Sequence, residues 1–118
     1  MLRYQYEVEY YYISGGEVTR DEYVEIMLGK IGKEIFIKYY YEFKREDPDF
    51  YKVIEEPYSV SSKKRRTSYA ISLFRQGLAK DALFKVAKAK RIDPIMARYA
   101  AAVYSCEFRE NIYDIIER

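Results

Sequence analysis

Lys33-Glu34-Ile35-Phe36-Ile37-Lys38-Tyr39-Tyr40-Tyr41-Glu42-Phe43-Lys44 is the stretch on which the fold class turns. Taken two by two, Ile35, Ile37, Tyr39, Tyr41 and Phe43 share one side. Phe36, Lys38, Tyr40, Glu42 and Lys44 share the other. Alternation of this kind, in residues of high β-propensity, reads as a strand. The second side is mixed in polarity and therefore partly covered.

Upstream, Leu2 to Ile13 alternates more cleanly. Leu2, Tyr4, Tyr6, Val8, Tyr10 and Tyr12 face one way, and Arg3, Gln5, Glu7, Glu9 and Tyr11 the other. That is a half-buried strand, broken by Ser14-Gly15-Gly16. Between the two strands, Thr19 to Ile31 reads as a helix. Thr19 and Glu22 have capping-box spacing, Tyr23, Ile26, Met27 and Ile31 supply the apolar stripe, and Gly32 is placed to end it. Downstream, Asp47-Pro48 opens a short helix that closes before Pro57, and Tyr58 to Val60 is a brief third strand or a link. The predicted class is α+β: two long Tyr-rich strands flanking one helix, then a mostly helical C-terminal half. Two strands alone do not make a stable sheet, and open edges invite pairing. Completion by the Tyr58 segment or across a homodimer interface is therefore expected. At 118 residues the length fits a single domain, with a strand-helix-strand part over 1–60 and a helical part over 61–118.

The helical half carries the charge. Lys63, Lys64, Arg65 and Arg66 are consecutive cations, followed by Thr67 and Ser68, both good N-cap residues. With the helix beginning there, the cations stand at its electropositive end, where an anion would relieve the conflict. A solvated basic loop explains the same run without a ligand. Ala79 to about Arg91 forms the next helix, with Ala82, Leu83, Val86 and Ala89 on one side. Asp93-Pro94 caps and starts another, striped by Met96, Tyr99, Ala100 and Val103. Phe108, Ile112, Ile115 and Ile116 suggest a last amphipathic helix.

Two family patterns lie within this half. Val86 to Tyr99 resembles a helix-turn-helix, with Ala87 between the helices, Ile92 in the turn and Arg98 on the recognition helix. Arg91 stands where that pattern has Gly. Gly77, Ala82, Ala89 and Pro94 are spaced as in one unit that resembles a tetratricopeptide repeat, although such arrays stack about three units or more. An ordinary helical hairpin with Ala at its contacts accounts for the same residues.

Composition sets outer limits. The hydrophobic share is 49% and the charged share 34%, so the chain can bury a core. A net charge of +2 says little by itself, but the cations crowd residues 61–98 while acids crowd Glu7–Glu25 and Glu42–Glu56. The lone Cys106 excludes an intrachain disulfide and reads as a buried thiol. No apolar run reaches membrane-span length, so a cytoplasmic protein with no membrane partner is expected. Absent His and Trp, with abundant Lys, Glu, Ile and Tyr, resembles thermophile usage and suggests a thermophilic archaeal or viral source.

Catalysis finds little to work with. Without His, the commonest general base is missing, and Ser-His and Cys-His nucleophiles are excluded. No C-x-x-C pair offers the usual zinc site. Glu42-Phe43-Lys44 is an E-x-K triplet of the sort some metal-dependent nucleases carry on a strand, with Asp21, Glu22 and Glu25 as candidate acidic partners. Phe36 and Tyr40, near Lys38 and Lys44, would be the base-stacking residues of a nucleic-acid-binding sheet face. The reading these features favour is a non-enzymatic nucleic-acid-binding protein without cofactor or metal. Its phosphate contacts would come from Lys63, Lys64, Arg65, Arg66, Lys88, Lys90, Arg91 and Arg98. The alternative is a protein-interaction or structural module built on its tetratricopeptide-like helices.

Overall fold

A computed structural model describes residues 11–112. The chain runs β1 (Tyr11–Ile13), β2 (Gly16–Val18), α1 (Arg20–Ile31), α2 (Lys33–Lys38), α3 (Tyr40–Lys44), a 3-10 helix (Pro48–Val53), α4 (Val60–Arg75), α5 (Ala79–Ala87) and α6 (Pro94–Phe108). Most of it is helix, and the sheet is one small antiparallel hairpin. Tyr11 pairs with Val18 and Ile13 with Gly16. Ser14 (φ 52°) and Gly15 (φ 81°) supply the positive φ at both central positions that a type I′ turn requires. Only Tyr11–Ile13 of the anticipated first strand, and its partner β2, are seen here, and their facing is the reverse of the expected one: Tyr11 is buried, with its ring stacked on that of Tyr23, and Tyr12 is exposed; Leu2 to Tyr10 lie outside the described residues. So do Ile115 and Ile116 of the anticipated last helix, whereas Ile112 is fully buried.

Lys33–Lys44 is not a strand. It folds as α2 and α3, joined at Tyr39 (φ −110°, ψ 26°). The hydrogen-bond ladder runs on through the joint, since Tyr39 N donates to the Ile35 carbonyl (3.1 Å) and Phe43 N to that of Tyr39 (2.9 Å). The reason is burial. Ile35, Phe36, Ile37, Tyr39, Tyr40 and Phe43 are all inside, leaving Glu34, Lys38, Tyr41 and Lys44 as an exposed strip at helical spacing. A helix enclosed on most sides is apolar nearly all round, so β-propensity yields to packing. No third strand forms at Tyr58, which lies in the link before α4.

The aromatic core follows from that packing. Phe36 stands 5.7 Å from Tyr40, 6.5 Å from Phe43 and 5.9 Å from Phe74 of α4, centroid to centroid. Phe50 of the 3-10 helix meets Tyr39 at 5.3 Å and Phe43 at 5.5 Å. Burial pushes the Tyr40 hydroxyl far above the ordinary tyrosine range, and the nearby Glu107 carboxylate adds to the effect. Phe36 and Tyr40 are thus core residues and offer no stacking platform. Around this centre α4 packs on α1, α3 and the 3-10 helix, while α6 packs on α5 and α2.

Helix starts follow their caps. Thr19 and Glu22 exchange capping-box hydrogen bonds at α1. Asp47 caps the 3-10 helix, and Asp93, with Pro94 following, caps α6. α5 stops at Ala87, short of Arg91, and Ala89 falls outside it. Tyr99, anticipated inside, is 43% exposed, and Cys106 is exposed rather than buried. Among the described residues no helix is long and apolar enough to cross a membrane.

The helical and strand readings of residues 33–44 differ in outcome. Phe36→Ala should cost about 3–5 kcal/mol in urea unfolding, as a core aromatic truncation does. Tyr41→Ala should stay within about 0.5 kcal/mol, as exposed changes do. The strand reading reverses that order.

Candidate nucleic-acid interface

The basic run does not precede α4; it lies inside it. The helix begins at Val60, capped by Ser59, whose Oγ accepts from Ser62 N at 3.1 Å. Thr67 is therefore mid-helix and buried, with no hydrogen-bond partner for Oγ1 among the described residues. A cap about two turns upstream was available in Ser59, and the four cations became helix residues.

Their roles then divide by direction. Arg66 turns inward. Its Nη1 donates to the Ile31 carbonyl at 2.6 Å, at the C-terminus of α1. Its Nε donates to Ser62 Oγ at 3.0 Å, and its guanidinium lies 3.8 Å from the Tyr58 ring centroid. A cation at the negative end of α1 satisfies an orphan carbonyl and complements the dipole. Gly32 makes room for it: φ is +96°, and a Cβ there would come within 3.1 Å of Nη1. Lys63 likewise donates to the Ile54 carbonyl at 2.7 Å, closing the end of the 3-10 helix. These two cations are structural.

Lys64 and Arg65 face outward. Arg65 Nη1 donates to Ser61 Oγ at 3.0 Å, and Lys64 Nζ lies 5.2 Å from the Tyr51 ring centroid, with Lys52 at 6.0 Å on the same ring. Neither outward cation is ion-paired to a carboxylate among the described residues. With Ser61, Ser68, Ser72 and Arg75 they make a polar, cationic ridge along α4, a helix that contains five cations and no acid. A cleft of about 300 Å³ runs along one side of the ridge, between Pro48, Lys64, Ser68, Ser72 and Arg75. Arg75 is tethered to Glu46 at 2.9 Å.

The remaining predicted contacts lie elsewhere. Lys88 caps the end of α5, 5.0 Å from the Phe84 ring centroid, and shares a cleft with Asp21 and Asp81. Lys90 and Arg91 are exposed in the α5–α6 connection, and Arg98 is exposed on α6. The helix-turn-helix-like segment does give two helices joined by a turn, with Ala87 and Ile92 half-buried against the core. Positive φ is not used at Arg91, so the turn does not need the Gly of that pattern. The buried Ala82, Ala100 and Ala101 make α5 and α6 a hairpin with small residues inside.

Apart from Glu46, acids are engaged away from the ridge. Asp21 and Glu25 of α1 hold Lys85 at 2.7 and 3.6 Å, and Lys33 holds Glu25 at 2.8 Å. The hydrogen bond from Lys85 keeps the Asp21 carboxyl below its ordinary range, and that from Lys33 does the same for Glu25. Glu42 and Lys44 sit on a helix, so the E-x-K triplet lacks the strand it requires, and Lys44 is paired with Glu107 at 2.6 Å. Among the described residues no group of three or more His, Cys, Asp or Glu could hold a metal. Comparison of the chain with protein-family models, curated proteins and solved structures gives no match.

Arg66→Met should lower unfolding stability by about 1.5–3 kcal/mol, the range for hydrogen bonds from a charged donor. Lys64→Ala and Arg65→Ala should each stay within about 0.5 kcal/mol. Denaturation curves of the three variants test this division. Acid should also weaken the fold. Asp21 and Glu25 have native pKa values depressed below their unfolded ones, so their contribution is complete above about pH 5 and disappears as pH falls through the native values. Both are substantially exposed, so each contributes at most about 1 kcal/mol. Asp21→Asn with Glu25→Gln should flatten the fall in melting temperature on acidification.

Proposed function

We propose that this protein binds nucleic acid through the outward ridge of α4. Lys64 and Arg65 contact phosphate, Arg75 extends the contact, and Ser61 and Ser68 add hydroxyl donors. The observation that carries this reading is the pair of outward cations, flanked by hydroxyls on a helix with no acid, while Asp21 and Glu25 of α1 are held by lysines. Such contacts give salt-dependent affinity with little base selectivity. Lys63 and Arg66 support the surface from behind. Lys90, Arg91 and Arg98 are exposed away from α4, in the α5–α6 connection and on α6, and are not part of this ridge.

Replacing Lys64 and Arg65 by Ala should weaken oligonucleotide binding and reduce the slope of log affinity against log salt by about 1 per lost phosphate contact. Fluorescence anisotropy across a salt series checks it. An unchanged slope would refute the reading.

A second reading, a protein-interaction module, is favoured by α6. Ile95, Tyr99, Ala102 and Cys106 are exposed at spacings of four, three and four, the seam of a helix that packs on another helix. Its simplest occupant is α6 of a second copy. Sedimentation equilibrium would show a dimer that Ile95→Glu dissociates.

A further inference from the structure

The ridge of α4 has a second flank. Between it, α1 and the hairpin turn lies a cleft of about 470 Å³ whose wall includes Tyr12, Ser14, Lys30, Ser68, Tyr69 and Ser72. We propose that this cleft holds an unpaired nucleobase, so that the nucleic acid is bound as a single strand. This rests on the reading of α4 as the phosphate-contacting helix.

Three observations converge. First, Ser68 and Ser72 belong to both clefts, so the wall of the base site is the back of the phosphate site. A strand whose phosphates follow Lys64 and Arg65 can turn a base over the ridge. Second, the cleft presents aromatic rings to solvent. Tyr12 is 61% exposed on β1, and Tyr69 is half-buried with Lys30 Nζ 5.8 Å from its ring centroid. Aromatic faces beside a cation are what bases stack on.

Third, the polar groups are arranged for a base edge. The Tyr23 hydroxyl donates to Gln76 Oε1 at 3.1 Å, and the Ser72 hydroxyl donates to the same oxygen at 3.2 Å. Their protons are committed, so both oxygens offer lone pairs to N–H groups entering the cleft. Lys30 supplies donors, and no carboxylate lines the wall. A cleft on α1 lined by Glu17, Asp21, Glu22 and Glu25 shows the contrast, since it would repel a phosphodiester. In a duplex the bases are stacked and paired, and reaching one requires unstacking it. The cleft therefore selects single strands over duplexes.

The test is fluorescence anisotropy with labelled single-stranded DNA, single-stranded RNA and a duplex of matched length. AMP and UMP serve as competitors, and Tyr12→Ala, Tyr12→Phe and the Lys64→Ala/Arg65→Ala double variant are compared with the native chain. Tyr12 is exposed, and circular dichroism confirms that its variants fold. Single strands should bind at least about tenfold tighter than the duplex. Tyr12→Ala should lose about fivefold to a hundredfold on single strands, the range for one base-aromatic stack, and nothing on duplex. Tyr12→Phe should keep the affinity, because the ring is retained. Duplex binding equal to single-strand binding, with Tyr12→Ala silent on both, overturns the base site and leaves the α4 reading standing. Mononucleotides that compete as well as the oligonucleotides would overturn the strand assignment in favour of a nucleotide site. No binding to any oligonucleotide at low salt overturns the α4 reading and the base site together.

Discussion

Burial of the aromatic rings on residues 36–43 is the constraint from which the rest of the structure follows. Phe36, Tyr40 and Phe43 must reach the core together, and only a helix puts positions four and three apart on one side. Once they do, Phe74 has to meet them from α4, and Phe50 from the 3-10 helix. That fixes where α4 lies, and with it which of its residues look outward.

The same placement sorts the basic run. A helix advances about 100° per residue, so four consecutive cations cannot share one environment. Lys63 and Arg66, three apart, fall on the packed side and terminate other helices. Lys64 and Arg65 fall between them and face solvent. Gly32 belongs to the same device, because its positive φ and missing side chain let the Arg66 guanidinium approach the last carbonyl of α1. Charge that looks like one patch in the chain is thus half scaffold and half surface.

Charge segregation completes the picture. Asp21 and Glu25 of α1 are held by Lys85 and Lys33, and neither lines a cleft beside the ridge of α4. The two clefts flanking that ridge have no carboxylate in their walls. Cationic stems, hydroxyls and tyrosine rings meet there because the hairpin, α1 and α4 converge, though they are far apart in the chain.

Much of this was legible beforehand. Thr19 with Glu22, Asp47 with Pro48, and Asp93 with Pro94 announced helix starts by local chemistry, which needs only neighbouring residues. Tyr23, Met27 and Ile31 of the α1 stripe and the break at Ser14-Gly15 were equally local, whereas Val24 and Leu28 are also buried and Ile26 only half-buried. Residues 33–44 were not. Their alternation was a by-product of a segment apolar on nearly every side, and Glu34, Lys38 and Glu42, each four apart, were the faint helical signal within it. The start of α4 was ambiguous because Ser59, Thr67 and Ser68 are all competent caps. Residue chemistry alone therefore set the capped starts of α1, the 3-10 helix and α6, the cationic run and the absence of histidine. Tertiary packing decided the state of residues 33–44, which cations are spent on carbonyls, and that Tyr12 and Tyr69 share a cleft, because each depends on what a distant segment buries.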